Sequence, residues 1–219
     1  MTRTIAIDGP SGSGKSSVAD RLADALHMAH LDTGAMYRAI TLDLLEQGID
    51  VNDEQAVDDR LNQLNLKMED NRVFLDNRDV TARVRADDVT RNVSVVSGYR
   101  AVREKMVAMQ QAIASSADVI LDGRDIGTVV LPNADLKIFL DATPEERARR
   151  RLQDKKSMST MAYEEVLADI RRRDQYDSTR LISPLHPAED AVHIDSSNMA
   201  LEEVVERIIE EWYHAHPMD

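Results

Sequence analysis

The sequence predicts an α/β fold in which a central parallel sheet of about five strands lies between two layers of helices. Two observations lead to this prediction. Short apolar runs typical of buried strands alternate along the chain with longer segments of helical spacing. The first of these runs also ends in a glycine-rich loop that a helical pattern follows directly. A sheet that is buried on both faces needs helices on both sides, and the helical segments between the apolar runs provide these helices.

Composition indicates a single domain over residues 1–219, because the chain suffices for one sizeable core and a small subdomain. No apolar run approaches the about 20 residues that cross a bilayer, and the N-terminus has no signal-peptide core. We therefore expect a cytoplasmic protein, and the absence of cysteine, and so of disulfides, agrees with a reducing compartment. We also expect a monomer. The net charge of −13 argues against nucleic acid and anionic membranes as partners. Any bound anion must therefore be held locally by clustered arginines.

The N-terminal part predicts two units of a strand followed by a helix. Thr4–Asp8 is the first strand, and the helix after the glycine-rich loop carries apolar residues at helical spacing, namely Val18, Leu22 and Leu26. A second apolar run covers Met28–Leu31. Thr33 is a suitable N-cap for the amphipathic helix that we expect next.

The middle of the chain has the pattern of a small antiparallel sheet. Apolar and polar residues alternate on both sides of Asp70-Asn71, and Asp76-Asn77 supplies a second turn. We interpret residues 57–95 as an insertion into the alternating fold.

The C-terminal half continues the alternation. Tyr99–Ala114 has helical spacing, the charged stretch Pro144–Arg180 is helical, and Leu201–Trp212 is a closing amphipathic helix. Three further buried strands are predicted at Val119–Leu121, Leu136–Leu140 and Ala191–Ile194.

The glycine-rich loop matches the phosphate-binding pattern G-x-x-x-x-G-K-[ST], and it has the strand before it and the helix after it that the pattern requires. Backbone N–H groups of such a loop point at phosphate oxygens, the lysine neutralises their charge, and the hydroxyl of Ser16 binds Mg²⁺. The alternative is a surface turn with an incidental lysine. We predict triphosphate binding by Gly9, Pro10, Ser11, Gly12, Ser13, Gly14, Lys15, Ser16 and Ser17.

A second anion site is predicted beside this loop. Arg38 follows the second strand and Arg124 follows the third, so both lie at the sheet edge where ligands of such folds bind. Guanidinium groups pair bidentately with phosphate, whereas isolated surface salt bridges are the alternative for both residues. The loop alone does not separate a kinase from a GTPase switch or an ATPase motor.

The sequence resembles the bacterial cytidylate kinases among the P-loop nucleoside monophosphate kinases. The resemblance covers essentially the whole chain. Its motifs are Ile7-Asp8-Gly9-Pro10-Ser11-Gly12-Ser13-Gly14-Lys15-Ser16, Leu31-Asp32-Thr33-Gly34-Ala35-Met36-Tyr37-Arg38, Asp122-Gly123-Arg124-Asp125-Ile126-Gly127-Thr128-Val129-Val130 and Lys137-Ile138-Phe139-Leu140-Asp141-Ala142. It implies a three-layer P-loop fold, a region for the nucleoside monophosphate over residues 33–105 that includes the insertion, and a short lid over residues 147–160.

The resemblance also implies ATP-dependent phosphorylation of CMP and dCMP, with Mg²⁺ as the cofactor and Ser16 as its protein ligand. Lys15, Arg124 and Arg173 would be catalytic. Thr33, Arg38 and Arg124 would hold the phosphate of the monophosphate. The cytosine would be read by Ser94, Arg103 and Asp125, and the pentose and acceptor phosphate held by Arg173, Asp177 and Arg180. Asp32 and Tyr37 belong to the same substrate site.

Several alternatives stay open at this point. Arg173, Asp177 and Arg180 have helical spacing, so a solvent-exposed helix face explains them equally well, as a helix cap and a surface charge explain Ser94 and Arg103. The arginines available to the transferring group are Arg147, Arg149, Arg150, Arg151 and Arg173. A UMP/CMP kinase or another small-molecule P-loop kinase is the first rival. A non-catalytic nucleotide-binding switch is the second, and the lack of an Asn-Lys-x-Asp guanine motif weighs against its GTPase form.

Overall fold

The fold centres on a five-stranded parallel sheet with the strand order β2-β6-β1-β7-β8. We describe it from a computed structural model, which covers residues 2–69, 72–154 and 161–216. The strands of this sheet are β1 (Thr4–Asp8), β2 (Ala29–Asp32), β6 (Val119–Gly123), β7 (Leu136–Asp141) and β8 (Val192–Asp195). The predicted parallel sheet is therefore confirmed.

Strand β1 is buried on both faces because alternate side chains enter two different apolar clusters. It pairs with β6 on one side and with β7 on the other. Ala6 lies in one cluster, whereas Ile5 and Ile7 lie in the other, and all three side chains are fully buried. An apolar run without polar alternation follows from this two-sided burial. The carboxyl ends of β1, β2 and β6 meet at one edge of the sheet.

Helices cover both faces of the sheet, which confirms the three-layer fold. Leu22, Ile208 and Trp212 pack on one face, and Met36 and Met106 pack on the other. The helices are α1 (Lys15–Leu26), α2 (Thr33–Glu46), α3 (Glu54–Leu61), α4 (Asp87–Val96), α5 (Arg100–Ser116), α6 (Pro144–Gln153), α7 (Tyr163–Thr179) and α8 (Leu201–Ala215). Within the described ranges, the model has no helix with the length and apolar character needed to span a membrane.

A three-stranded antiparallel sheet lies between α3 and α4, as the alternating pattern predicts. Its strands are β3 (Leu66–Glu69), β4 (Arg72–Leu75) and β5 (Arg78–Asp79). Asp76 and Asn77 have φ values of 49° and 66°, the left-handed backbone that a tight hairpin turn requires. The predicted turn at Asp70-Asn71 lies outside the described residues. Val73 and Leu75 join the apolar cluster around α2, which attaches this small sheet to the main fold.

The start of α2 differs from the sequence prediction. Asp32 is the N-cap, because its Oδ1 accepts a hydrogen bond of 3.0 Å from the backbone N–H of Ala35. Thr33, predicted as the cap, begins the helix and donates from its hydroxyl to the backbone oxygen of Asp122 at 2.7 Å. The helix is also buried nearly all round rather than amphipathic, because the inserted region covers its outer side.

The charged stretch 144–180 forms two helices that pack on each other. Ala148 of α6 and Val166, Leu167 and Ile170 of α7 make a separate small apolar cluster. The predicted lid, residues 147–160, begins inside α6, and its residues 155–160 lie outside the described residues. The limits of the lid and of the region 33–105 stay predictions.

The first glycine of the phosphate loop lies against the neighbouring strand. Gly9 has a φ of 152°, and a Cβ atom at this position would come within 2.0 Å of the backbone oxygen of Leu140 in β7. Gly48 also has a positive φ, 68°, but a Cβ atom there would meet nothing within 4 Å. Substitution of Gly9 would therefore cause a steric clash, whereas substitution of Gly48 would cause only backbone strain.

We predict that Gly9→Ala lowers the free energy of unfolding by about 3 kcal/mol or more, because β7 cannot move away from the loop without breaking the sheet. Gly48→Ala is the control and should cost only about 1 to 2 kcal/mol of left-handed strain. Urea unfolding followed by circular dichroism measures both values. Equal losses in the two variants would contradict the close approach of Gly9 and Leu140.

Candidate active site

The phosphate loop joins β1 to α1 and surrounds the ammonium group of Lys15. Lys15 Nζ donates to the backbone oxygen of Pro10 at 2.7 Å and to Ser13 Oγ at 3.4 Å. Gly14, with a φ of 97°, is the N-cap of α1, so the helix dipole points into the loop. Burial, together with the nearby charge of Arg124, lowers the pKa of Lys15 to about 7. A polyanion in the loop would favour the charged ammonium.

Ser16 begins a chain of polar contacts that runs across the sheet. Its hydroxyl donates to Asp122 Oδ2 at 2.9 Å, and Asp122 Oδ1 lies 2.8 Å from Nε2 of His30. The other ring nitrogen of His30 lies 2.7 Å from Asp20 Oδ1. Burial acts to lower the pKa of His30, but the hydrogen bonds to Asp122 and Asp20 outweigh it and raise the pKa to about 10. Sequence analysis missed His30, since no motif includes it.

Asp8, the last residue of β1, holds the turn that follows β6. Its carboxylate accepts hydrogen bonds from the backbone N–H groups of Ile126 and Gly127, at 2.8 and 2.7 Å. Burial raises the pKa of Asp8 to about 6, although these two hydrogen bonds act in the opposite direction. Arg124 and Asp125 lie in this turn, so Asp8 fixes the backbone position from which their side chains extend.

A cleft enclosing about 500 Å³ opens beside this turn. Every predicted substrate residue except Asp32 lines it: Thr33, Tyr37, Arg38, Ser94, Arg103, Arg124, Asp125, Arg173, Asp177 and Arg180. Asp32 instead caps α2 and accepts a hydrogen bond of 3.2 Å from Arg85, so its role in substrate binding stays a prediction. The fold therefore gathers into one cleft residues that lie far apart in the sequence.

An ion pair between Arg103 and Asp125 forms one wall of the cleft. Nη2 of Arg103 donates to Asp125 Oδ2, and both side chains are at most 5% exposed. The guanidinium also lies over the ring of Tyr37, with its carbon 5.3 Å from the ring centroid. The alternative of a surface charge at Arg103 is therefore wrong. Ser94 is also buried inside α4 rather than capping it, and its hydroxyl has no partner among the described residues.

The opposite wall comes from the end of α7. Asp177 accepts a hydrogen bond of 3.0 Å from Nε of Arg124, and Arg180 Nη1 lies 4.0 Å from its other oxygen. Arg173 and Asp177 are each 5% exposed, so the alternative of a solvent-exposed helix face is wrong. Arg180 follows the last helical residue and still reaches the cleft. Burial lowers the pKa of Arg173, the direction expected for a cation crowded by Arg124 and Arg151.

A second, smaller cavity of about 360 Å³ lies beside the phosphate loop. Ser11 and Gly12 of the loop line it, as do Arg151 and Arg173. Arg173 is therefore common to both cavities. Burial, and then the charges of Arg173 and Arg151, lower the pKa of Arg38 to about 9. The guanidinium groups of Arg38, Arg151 and Arg173 thus lie close to one another where the two cavities share a lining residue.

Comparison with known proteins identifies the family. A family model described as cytidylate kinase matches residues 5–214. The chain belongs to the cytidylate kinase family. It is 49% identical to the cytidylate kinase of Acholeplasma laidlawii, over 94% of this chain and 93% of that protein. It is 43% identical to the cytidylate kinase of Bacillus subtilis, over 94% of this chain and 95% of that protein.

Solved structures extend the comparison to the fold. A crystal structure of shikimate kinase from Bacteroides thetaiotaomicron superposes with a TM-score of 0.52 at 14% sequence identity, covering 95% of this chain and 97% of the other. At this identity the similarity concerns the fold alone. The fold by itself therefore does not identify the acceptor, which must be inferred from the cleft.

The four arginines of α6 have different environments. Arg147 is buried and bonds to both oxygens of Asp174, at 3.0 and 2.6 Å, and to the backbone oxygen of Ser11 at 3.0 Å. Arg149 is 60% exposed and pairs with Glu146. Arg150 donates to the backbone oxygens of Ser13 and Ser196 at 3.2 and 2.6 Å. In Arg151, Nη2 is buried with no hydrogen-bond partner in the described part of the chain.

The oxygen atoms beside the phosphate loop suit a magnesium ion, the metal that kinases normally use with ATP. The hydroxyl of Ser16 and the carboxylate of Asp122 are hard oxygen donors, 2.9 Å apart. Among the described residues no cluster of three or more His, Cys, Asp or Glu side chains forms a metal cage. This agrees with the preference of Mg²⁺ for a few protein oxygens, completed by phosphate and water.

We predict that Arg147→Ala lowers the free energy of unfolding by about 3 to 5 kcal/mol, because it leaves Asp174 without its partner and a gap beneath Ser11. Arg149→Ala is the matched control on the same helix. Its exposed pair with Glu146 should contribute no more than about 0.5 kcal/mol. Chemical denaturation of both variants tests this difference. Similar stability of the two variants would show that the Arg147 pair does not hold α6, α7 and the loop together.

Proposed function

We propose that this protein transfers the terminal phosphoryl group of ATP to CMP, and also to dCMP, giving the nucleoside diphosphate. The observation that carries the proposal is the buried Arg103–Asp125 pair in a cleft that arginines otherwise surround. The arginines suit a phosphate group, and the pair offers a charged acceptor and donor to the edge of a base. The names of the relatives agree with this reading.

Selectivity for cytosine follows from the charge of Asp125. The exocyclic amine of cytosine donates a hydrogen bond to a carboxylate, whereas the carbonyl of uracil at that position would face it with a second acceptor. Arg103 supplies donors to the remaining acceptors of the cytosine edge. Ser94 offers a buried hydroxyl that has no partner in the described part of the chain. These three residues are the base-reading set that we propose.

The reaction requires no general base, because an ionised phosphate oxygen of the acceptor is already a nucleophile. Catalysis then consists of aligning the two phosphates and stabilising charge on the transferring group. In our proposal Thr33, Arg38 and Arg124 hold the acceptor phosphate, and Lys15 neutralises the donor phosphates. Magnesium, held by Ser16 and Asp122, would supply further charge neutralisation at the donor.

Arg173 and Arg151 suit the transferring phosphoryl group itself. Arg173 lines both cavities, so its guanidinium lies between the donor and acceptor sides. Of the arginines on α6, Arg147 is bonded to Asp174, Arg149 is exposed, and Arg150 is bonded to Ser196. Arg151 lines the second cavity and retains a buried donor group. Closure of the lid over residues 147–160 would exclude water and suppress hydrolysis of ATP.

The acceptor specificity predicts the result of a substrate panel. With ATP and Mg²⁺ in a coupled assay, CMP and dCMP should be phosphorylated with kcat/KM values at least about 10-fold above that of UMP, and AMP should be a poorer substrate still. The difference between CMP and UMP follows from the carboxylate of Asp125, which rejects the uracil carbonyl. Turnover of UMP well above that of CMP would contradict the proposal, and phosphorylation of none of the four would favour a nucleotide-binding switch.

The role of Arg151 is tested by Arg151→Met, with Arg149→Met as the matched control two residues away. We expect kcat to fall by about 100-fold or more in the Arg151 variant, while KM for CMP changes by less than about threefold. The control should keep nearly normal turnover, because Arg149 points to solvent. Steady-state kinetics at saturating ATP and Mg²⁺ provides the measurement. A larger loss in the Arg149 variant would assign the transferring group to a different arginine.

A further inference from the structure

A closed network of polar side chains lies beneath the phosphate loop. Ser16 and Asp20 lie one turn apart on α1, His30 lies on β2, and Asp122 lies near the end of β6. The contacts run from Ser16 to Asp122 at 2.9 Å, from Asp122 to His30 at 2.8 Å and from His30 to Asp20 at 2.7 Å. Because Ser16 and Asp20 both lie on α1, the backbone of this helix completes the ring of contacts. The reaction as described above uses Ser16 and Asp122 but gives His30 no role.

The ring of His30 acts as a cation in this network. Both ring nitrogens lie within 2.8 Å of a carboxylate oxygen, so both must donate a hydrogen bond and the ring is an imidazolium. Its side chain is 3% exposed, whereas that of Asp20 is 42% exposed. Asp122 is also buried, at 5% exposure. His30 therefore places a positive charge between the partly exposed carboxylate of Asp20 and the buried carboxylate of Asp122.

The strand register explains why the side chain of residue 30 lies next to Asp122. His30 lies beside Ile120 in the parallel register of β2 and β6, two residues before Asp122. Asp32, opposite Asp122 in the same register, accepts a hydrogen bond from Ala35 and caps α2. Asp32 is partly exposed and pairs with Arg85, whereas the buried carboxylate of Asp122 would lack a paired cation without the imidazolium. The ring both neutralises Asp122 and occupies one of its oxygens.

We propose that His30 is a positioning residue, whose ring holds Asp122 with its second oxygen toward Ser16 and thereby sets how strongly the phosphate loop prefers magnesium-bound triphosphate over the metal-free triphosphate. The effect passes through Asp122 and Ser16, and His30 itself touches neither nucleotide nor metal. Partners behind metal ligands commonly control metal affinity in this way. The inference rests on the proposed binding of magnesium and ATP at this loop.

The experiment compares binding of the non-hydrolysable analogue AMPPNP, with Mg²⁺ and with EDTA, to the full-length wild-type protein and to His30→Gln. Glutamine is uncharged, and both of its N–H donors are on one atom, so its carbonyl oxygen would face the other carboxylate. We expect the Kd measured by calorimetry to rise about 10-fold with Mg²⁺ and to change less than about twofold with EDTA. An equal rise in both conditions would indicate a merely structural role, and no rise in either would also overturn the proposal.

His193→Gln is the matched control, because His193 is an exposed histidine on the opposite edge strand, β8. It should leave both Kd values unchanged, and an effect equal to that of His30→Gln would overturn the proposal. If His30→Gln does not fold, Asp20→Asn replaces it. This change keeps an acceptor for the ring but removes the outer charge, so the Mg²⁺-dependent Kd should rise about threefold. No rise in this variant would overturn the proposal.

A spectroscopic measurement on the wild-type protein needs no variant beyond those used for assignment. The ring nitrogen signals of His30, labelled with ¹⁵N, should shift on adding AMPPNP with Mg²⁺ and stay in place on adding AMPPNP with EDTA. Equal shifts would overturn the proposal. Turnover of CMP is measured separately on the wild type. Loss of that activity with magnesium-dependent binding of AMPPNP intact would contradict the proposed function and leave the role of His30 supported.

Discussion

The parallel register of β1 and β6 is the constraint on which the site depends. It sets Asp8 beside Gly123, so that the phosphate loop after β1 and the turn after β6 begin at the same point of the sheet edge. Asp8 then bonds to the backbone of that turn, and Ser16 reaches Asp122 across the gap. A shift of one residue would move every side chain of β1 to the other face and separate the two loops. Packing of the core therefore fixes the distance between the donor and acceptor sides.

Positive charge in a chain of net charge −13 is concentrated around this edge. Burying so many guanidinium groups is unfavourable unless carboxylates compensate them. Asp125, Asp174 and Asp177 do so for Arg103, Arg147 and Arg124. Arg103, Arg151, Arg173 and Arg180 each keep a buried nitrogen without a hydrogen-bond partner in the described residues. The carboxylate pairs stabilise the walls of the site, while these four arginines each retain an unused donor.

The two cavities divide the site according to chemistry. The larger cleft combines guanidinium groups with the Arg103–Asp125 pair, a combination that suits a molecule with a phosphate at one end and a base at the other. The smaller cavity leads to the phosphate loop and is lined by Arg151 of α6 and by α7. Movement of α6 and α7 would therefore change the donor side first. The small antiparallel sheet packs on α2, whose first turns contribute Thr33, Tyr37 and Arg38 to the acceptor side.

Most of the residues predicted for the acceptor came from the resemblance to the cytidylate kinases. The sequence by itself determined the parallel sheet and the phosphate loop. These depend on local patterns, such as two-sided burial of a strand or glycines at fixed spacing before a lysine. The cap of α2 was missed because Asp32 and Thr33 both have capping side chains, and only the chain path selects between them. Tertiary structure alone separated the environments of the arginines on α6. Arg147 and Arg151 lie one turn apart on the same side of α6, and Asp174 of α7 bonds only the first. His30 was likewise invisible in the sequence, because its partners come from α1 and β6, and only the paired strands bring them to its two nitrogens.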